Sequence, residues 1–293
     1  MVPIPSAMPS RWFVATLVLL LTGCSGTSTA PPTGPAALAT TSTLASLAAG
    51  VTGATVPSLV PIGVSPEDYQ PAPHDIEVLH EARVLVQNGA GLELWLDATI
   101  RNAANPQLVR VICTDGLPVR EGNPHLWMDP EFARAYVAKV RDALVTADPG
   151  RAAAYRANAA AYDGKLVALA ERTRRKLAAL PPSHRTLIVF HNALDYYAAR
   201  FGLQIVGAIE PTAGAEPNPA HIADLVRLAR RYGVRAVFAE HEYNPKLARA
   251  LADEAGIKTV SYLYDDSVGT DPKVGDYIGM IDFDTDAIVA ALR

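Results

Sequence analysis

The side chains able to do chemistry in this chain are seven histidines, two cysteines and a scattered set of carboxylates. The histidines are His74, His80, His125, His184, His191, His221 and His241. None lies in a compact metal motif of the HExxH or CxxC kind, so the signal is positional. His191 ends the apolar run TLIVF (186–190), where a helical pattern begins. Asp266 follows another run, in YLYDDS (262–267). His125 sits in NPHLWMDP (123–130) just before a helical pattern, and Glu67 lies in the loop after residues 56–62. In open α/β sheets ligands bind outside the carboxyl ends of strands. Four donors in such loops, two per half of the chain, suit a divalent metal in a cleft. Each residue also has a plainer reading: His125 and His191 as hydrogen-bonded loop histidines, Asp266 as a turn cap, Glu67 as a solvated acid. His74 is a substitute donor seven residues beyond Glu67. Glu240, at the end of the apolar run 237–239, is placed to orient a histidine from behind. His241 and Glu242 read as solvent-facing, and His80, His184 and His221 as surface or helix-face residues.

The elements that must position these groups follow from the patterning. Short apolar runs at 36–40, 56–62, 83–87 and 108–112 read as strands, and 43–49, 74–81 and 92–102 as helices, with Asn88-Gly89 as a turn. The second half has strands at 186–190, 204–208, 236–239 and 258–263 and helices at 193–200, 219–232, 245–255 and 274–292. Strands alternating with helices predict parallel sheets covered by helices. Residues 149–180 are rich in Ala, Arg, Lys and Leu with no internal proline; Asp148-Pro149 starts this segment and Pro181-Pro182 stops it. It predicts a helix of about 45 Å. Without sustained heptads it reads as a connector packed along both halves rather than a coiled-coil arm.

The bulk composition removes several classes of function. The chain has 293 residues, 49% apolar and 19% charged, with a net charge of −4. That is ordinary globular composition with no electrostatic footprint for nucleic acid. Beyond the N-terminus no apolar run approaches the ~20 residues of a membrane span. Arg11, the apolar stretch 12–21 and then LTGC (21–24) read as a bacterial signal peptide with a lipobox. This predicts cleavage before Cys24, lipid on its sulfur, and an extracytoplasmic location anchored to the cell membrane. SGTSTAPPTGP (25–35) reads as a tether. Cys113, left without a disulfide partner, reads as a buried thiol at a strand end.

Taken together, ATTS (39–42), VPIGV (60–64), DYQP (68–71), NGAGLE (88–93), PHLWMDP (124–130), FHNA (190–193) and DS (266–267) resemble the zinc/manganese-binding proteins of ABC transporters. Each stretch alone is weak; their order and spacing are specific, and the match runs from about residue 36 to the C-terminus. The resemblance implies an α/β fold of two similar lobes, each a mostly parallel sheet covered by helices, joined by one long rigid helix. The expected boundaries are a signal peptide at 1–23, the tether at 24–35, lobes at 36–147 and 182–293, and the linking helix at 148–181. It implies one divalent ion as transported ligand, zinc or manganese with ferrous iron also compatible, and a partner permease with its ATPase. The family's ligands fall on His125, His191 and Asp266. At the first position, where the family usually has Pro-His, this chain has Pro66-Glu67. Glutamate still ligates such metals, and two imidazoles with two carboxylates tilt the site toward manganese or ferrous iron. Residues 114–124 also lack the His-rich loop of many zinc-specific relatives. A monomeric binding cycle without chemical turnover is expected. The alternatives are a surface adhesin of the same fold, a receptor for a metal chelate or organic solute, and, from another class, a metal-dependent hydrolase.

Overall fold

A computed structural model describes residues 1–3, 36–211, 218–257 and 259–293. Apart from residues 1–3, the expected signal peptide lies outside the described residues, as do Cys24 and the tether. In the first sheet β1 (Leu38–Ala39), β2 (Val84–Gln87) and β3 (Val109–Ile112) pair in parallel, in that order. The second sheet holds β4 (Thr186–Val189), β5 (Gln204–Ala208), β6 (Ala236–Glu240) and β7 (Thr259–Leu263) in the order β5-β4-β6-β7, again parallel. Strands such as VLVQ and AVFAE are buried at every position, as two-sided coverage by helices demands.

The stretch 56–62, expected as a strand, is only a rudiment of one. It meets β1 through a single parallel bridge between Ala39 and Ser58. Ala39 N donates to the Pro57 carbonyl at 3.0 Å and Leu59 N to the Ala39 carbonyl at 2.9 Å. Pro57 and Pro61 lack the N–H that would lengthen the ladder, which confines the pairing to these few bonds. With this edge counted, both sheets share one order: second, first, third, fourth. The order reverses between the first and third strands, and a crevice opens there at the carboxyl ends.

Helices α1 (Ser42–Thr52), α2 (Pro73–Glu81), α3 (Leu96–Ala103) and α4 (Pro130–Ala147) belong to the first half of the chain. Helices α6 (Asp195–Phe201), α7 (Pro219–Tyr232), α8 (Lys246–Ala255) and α9 (Tyr277–Leu292) belong to the second. Local signals set their ends. Thr41 caps α1 by accepting from Leu44 N, and Gly53 closes it at φ 71°. Pro130 opens α4 behind the Asp129 cap. Residues 92–95, expected in α3, form turns, and α9 starts at Tyr277 rather than 274.

Between the halves runs α5 (Ala152–Ala178), 27 residues and about 40 Å long, preceded by a 3₁₀ turn at Pro149–Arg151. It is somewhat shorter than expected because the 3₁₀ turn takes its first residues. It packs against α1 and α4 on one side of the molecule and against α6 and α9 on the other. Arg134 of α4 grips Asp163 through two nitrogens at 2.6 and 3.1 Å. Near the other end Arg172 makes a fork to Asp282 of α9 at 2.7 and 2.6 Å. Bidentate pairs of this kind fix orientation as well as distance. A helix tied to both sheets resists hinge bending, so the loops at the strand ends keep their mutual positions.

Candidate metal centre

Each expected donor is carried by a loop at the carboxyl end of a strand. His191 follows β4, Glu240 ends β6, and Asp266 follows β7. His125 stands just ahead of a 3₁₀ turn (Leu126–Met128) in the loop beyond β3, and Glu67 in the loop beyond the 57–60 edge. The two sheets face each other with these ends, and His125, His191 and Asp266 meet there, with Glu67 beside them but outside the tight group. His125 Nε2 lies 3.1 Å from His191 Nε2, 3.5 Å from Asp266 Oδ1 and 3.9 Å from Glu67 Oε1. Donor atoms of His125, His191 and Asp266 all fall within 4.8 Å of one another. Exposure is 3% for His125, 2% for His191 and 1% for Asp266, so the trio is deeply buried. Glu67 closes the group on the outer side with a side chain 19% exposed. A cavity of about 590 Å³ leads out past Glu67, His125 and His191, lined also by Arg120, Glu121 and Asp195.

Hydrogen bonds behind the rings fix which nitrogen faces the cleft. Glu240 accepts twice from His191, from its backbone N at 3.1 Å and its Nδ1 at 2.7 Å. Asn123 Oδ1 does the same for His125, at 3.0 Å from N and 2.8 Å from Nδ1. With both Nδ1 atoms occupied as donors, both Nε2 atoms present to the centre. Glu240 was expected in this role. Asn123 was missed, although it stands only two residues before His125 in the same loop. Asp265 also lies 3.9 Å from His191 Nδ1, and His191, Glu240 and Asp265 form a second group with ligand-type atoms close together. The 2.7 Å hydrogen bond inside that group occupies the space an ion would need, so it serves as support.

The carboxylates are poorly satisfied. No hydrogen bond of good geometry reaches either oxygen of Asp266 or Oε2 of Glu67, all buried, although His125 and Ser65 stand beside Asp266. An unpaired buried carboxylate costs several kcal/mol unless a cation answers it. Burial would raise the Asp266 pKa, but the imidazoles of His125 and His191 prevail and hold it below the ordinary aspartate value. Burial, reinforced by Asp266, pushes Glu67 up to about 7. Burial alone would lower His191, yet the charge and hydrogen bond of Glu240 outweigh it and raise the ring to about 10. Burial lowers His125. The two facing Nε2 atoms are therefore a donor and an acceptor: a proton on His191 points at the lone pair of His125. The proton sits where a cation would.

Other candidates fall away on position. His74 is 79% exposed beside Glu77 and outside the cluster. His80 and His221 bond backbone carbonyls, and His241 stacks on Tyr264 at the surface. Cys113 is buried at the end of β3, where burial pushes its thiol well up. Glu242, expected in solvent, is instead turned inward: its Oε1 accepts from Ser267 Oγ at 2.7 Å, and burial followed by repulsion from Asp266 raises it to about 7. Its neighbour Tyr243 stacks on Phe190 and draws the loop after β6 against the sheet end, which carries Glu242 with it.

Known proteins share this architecture. The family model described as the periplasmic zinc-uptake complex component A, ZnuA, matches residues 38–291. The manganese-binding lipoprotein MntA of Halalkalibacterium halodurans is 33% identical over 239 residues, covering 80% of each chain. The iron-binding protein YfeA of Yersinia pestis is 32% identical over 243 residues, covering 80% of this chain and 78% of that one. Among solved structures, the periplasmic zinc-binding protein TroA of Treponema pallidum superposes with a TM-score of 0.82 at 25% identity, covering 88% of this chain and 99% of TroA. The three relatives carry three different metals in their names, and the family match at residues 38–291 runs through both sheets and the helix between them: the chain belongs to the ZnuA family, described as periplasmic zinc-uptake complex component A.

Proposed function

We propose that this chain is the extracytoplasmic receptor of an ABC uptake system and captures one divalent transition metal through Glu67, His125, His191 and Asp266. The observation that carries the reading is Asp266, buried with no well-formed hydrogen bond to either oxygen and facing two imidazoles that present Nε2. Relatives named for binding manganese, iron and zinc support the same ligand class. The cargo passes to a permease driven by an ATPase, and the receptor works as a monomer held to the membrane by lipid on Cys24. The metal is bound and released without chemical turnover. A chelate or organic solute is disfavoured because His125, His191 and Asp266 meet at single-ion distances with Glu67 next to them.

The donor chemistry favours manganese or ferrous iron over zinc. Zinc sites close with four ligands, commonly rich in nitrogen or sulfur. Here two nitrogens meet two carboxylates whose three unpaired oxygens permit chelation, an oxygen-rich set suited to manganese. Zinc still binds most mixed sites more tightly, so the preference depends on Glu67. The test is metal competition on the soluble domain beginning after Cys24. Stripped protein is loaded with equal zinc and manganese, and bound metal is read by elemental analysis for the native chain and for Glu67→His. Manganese retained by the native chain and lost to zinc in the variant supports the assignment. No bound metal in either would overturn it.

A further inference from the structure

The loop that carries Glu67 is held from both sheets. Its inner side is tied to its own half: Trp95 Nε1 donates to the Pro66 carbonyl at 2.8 Å, one residue before Glu67. Its leading side is tied across the cleft. Gly63 N donates to Ser267 Oγ at 3.1 Å, over a separation of 204 residues. Ser267 Oγ in turn donates to Glu242 Oε1 at 2.7 Å. Gly63 sits at φ 81°, a conformation glycine adopts freely, which turns its N–H across the cleft.

This chain of bonds gives Ser267 a defined polarity. Its one proton goes to Glu242, so its oxygen lone pairs face Gly63 and accept. Ser267 is adjacent to Asp266 in sequence and 3% exposed. The same hydroxyl thus joins the loop bearing one carboxylate donor to the residue beside the other. Glu242 is not part of the donor set, yet it is turned inward with Oε2 lacking a hydrogen bond. Its placement is explained if it orients the Ser267 hydroxyl.

We propose that Ser267, oriented by Glu242, is a positioning residue: the Gly63–Ser267–Glu242 link holds the Glu67 loop closed over the metal and sets how fully Glu67 takes part in binding. The inference rests on the metal-receptor reading above. Without the link the loop keeps its Trp95 tether and the contacts of Ser65 with Asp266 and Tyr243, and its Glu67 end loosens at the cleft mouth while His125, His191 and Asp266 stay fixed.

The experiment is a double-mutant cycle on the soluble domain beginning after Cys24. Manganese affinity is measured by chelator competition, and release is measured by mixing with excess EDTA. The proteins are native, Ser267→Ala, Glu67→Ala, the double variant, Glu242→Ala and Glu242→Gln. Ser267→Ala is expected to weaken manganese about tenfold, mostly through faster release, and to cost nothing further in the Glu67→Ala background. Glu242→Ala should behave like Ser267→Ala. Glu242→Gln retains an oxygen acceptor for the hydroxyl and should restore affinity to within about threefold. A purely structural role would lower the melting temperature but leave the two losses additive. Additive losses, or native affinity in Ser267→Ala, would overturn the proposal. A native chain that binds no manganese, zinc or ferrous iron would instead sink the receptor reading, so the two failures are distinguishable.

Discussion

The two sheets solve the same structural problem with a buried glutamate and put it to different ends. In the first, Glu93 sits beyond β2 and accepts from Thr40 Oγ1 at 2.7 Å, from Asn88 N at 2.7 Å and from Gly89 N at 2.9 Å. In the second, Glu240 ends β6 and accepts from His191 N and Nδ1. In both, the carboxylate pins the residue just past the first strand, at the place where the strand order reverses. Thr40 spends its only proton on that bond, and the network ends there. His191 has a second ring nitrogen, and the brace behind it becomes an orientation in front of it. A crevice that every such sheet possesses turns into a binding site when the braced residue has a donor to spare.

That contrast can be broken by removing the spare donor. His191→Ala deletes the nitrogen that Thr40 at the matching position of the first sheet does not have, and metal affinity should fall at least ~100-fold in chelator competition. A loss under tenfold would mean that the other three donors close the site without it. Glu240→Gln keeps the size and the acceptor at Nδ1 but removes the charge. It should cost about 10- to 100-fold in metal affinity, the usual range for a group behind a ligating histidine. The equivalent change in the first sheet should act on the fold instead. Glu93→Gln places an amide against Gly89 N–H, with a penalty of about 1–3 kcal/mol. Thermal unfolding of the metal-free protein should drop by roughly 2–8 °C while affinity stays within about threefold. Equal effects of the two substitutions on affinity would show that the lobes do not differ in this way.

How much of this was legible in the sequence follows the same division. Parallel sheets, covering helices and the long connector are read from apolar runs and helix stops, because those signals are local. The strand ends are equally local, so Glu67, His125, His191, Asp266 and Glu240 could each be placed at one. That they converge is a fact of tertiary structure. Family resemblance, not spacing, groups them: His125 and His191 are 66 residues apart, and Asp266 is further still. The misses are of one kind. Asn123 behind His125, Ser267 across from Gly63, and the inward turn of Glu242 are polar side chains whose partners lie on other loops or whose geometry is set by packing. Nothing in a one-dimensional pattern separates them from solvated loop residues. The overextended strand at 56–62 has another cause. Its apolar residues fit a strand, but Pro57 and Pro61 leave the backbone too few donors to build one.

The site shared by the two sheets is governed by protons. In the metal-free protein His191, raised to about 10, is charged at neutral pH, and Glu67, raised to about 7, is near half-protonated. His125 is neutral because burial lowers it. A metal needs both imidazoles neutral and both carboxylates ionised. Binding at pH 7 should therefore release between one and two protons, one from His191 and part of one from Glu67. The sign is fixed: protons compete with the metal, so affinity falls as pH falls. The count should approach two near pH 5.5, where Glu67 is fully protonated before binding, and approach one near pH 8.5, where only His191 still carries its proton. Calorimetric titration with manganese in buffers of different ionisation heat reads this number directly. In Glu67→Ala the dependence between pH 5.5 and 8.5 should flatten to one proton throughout. Release near zero at pH 7 would show that His191 is already neutral, and that Glu240 orients the ring without holding its charge.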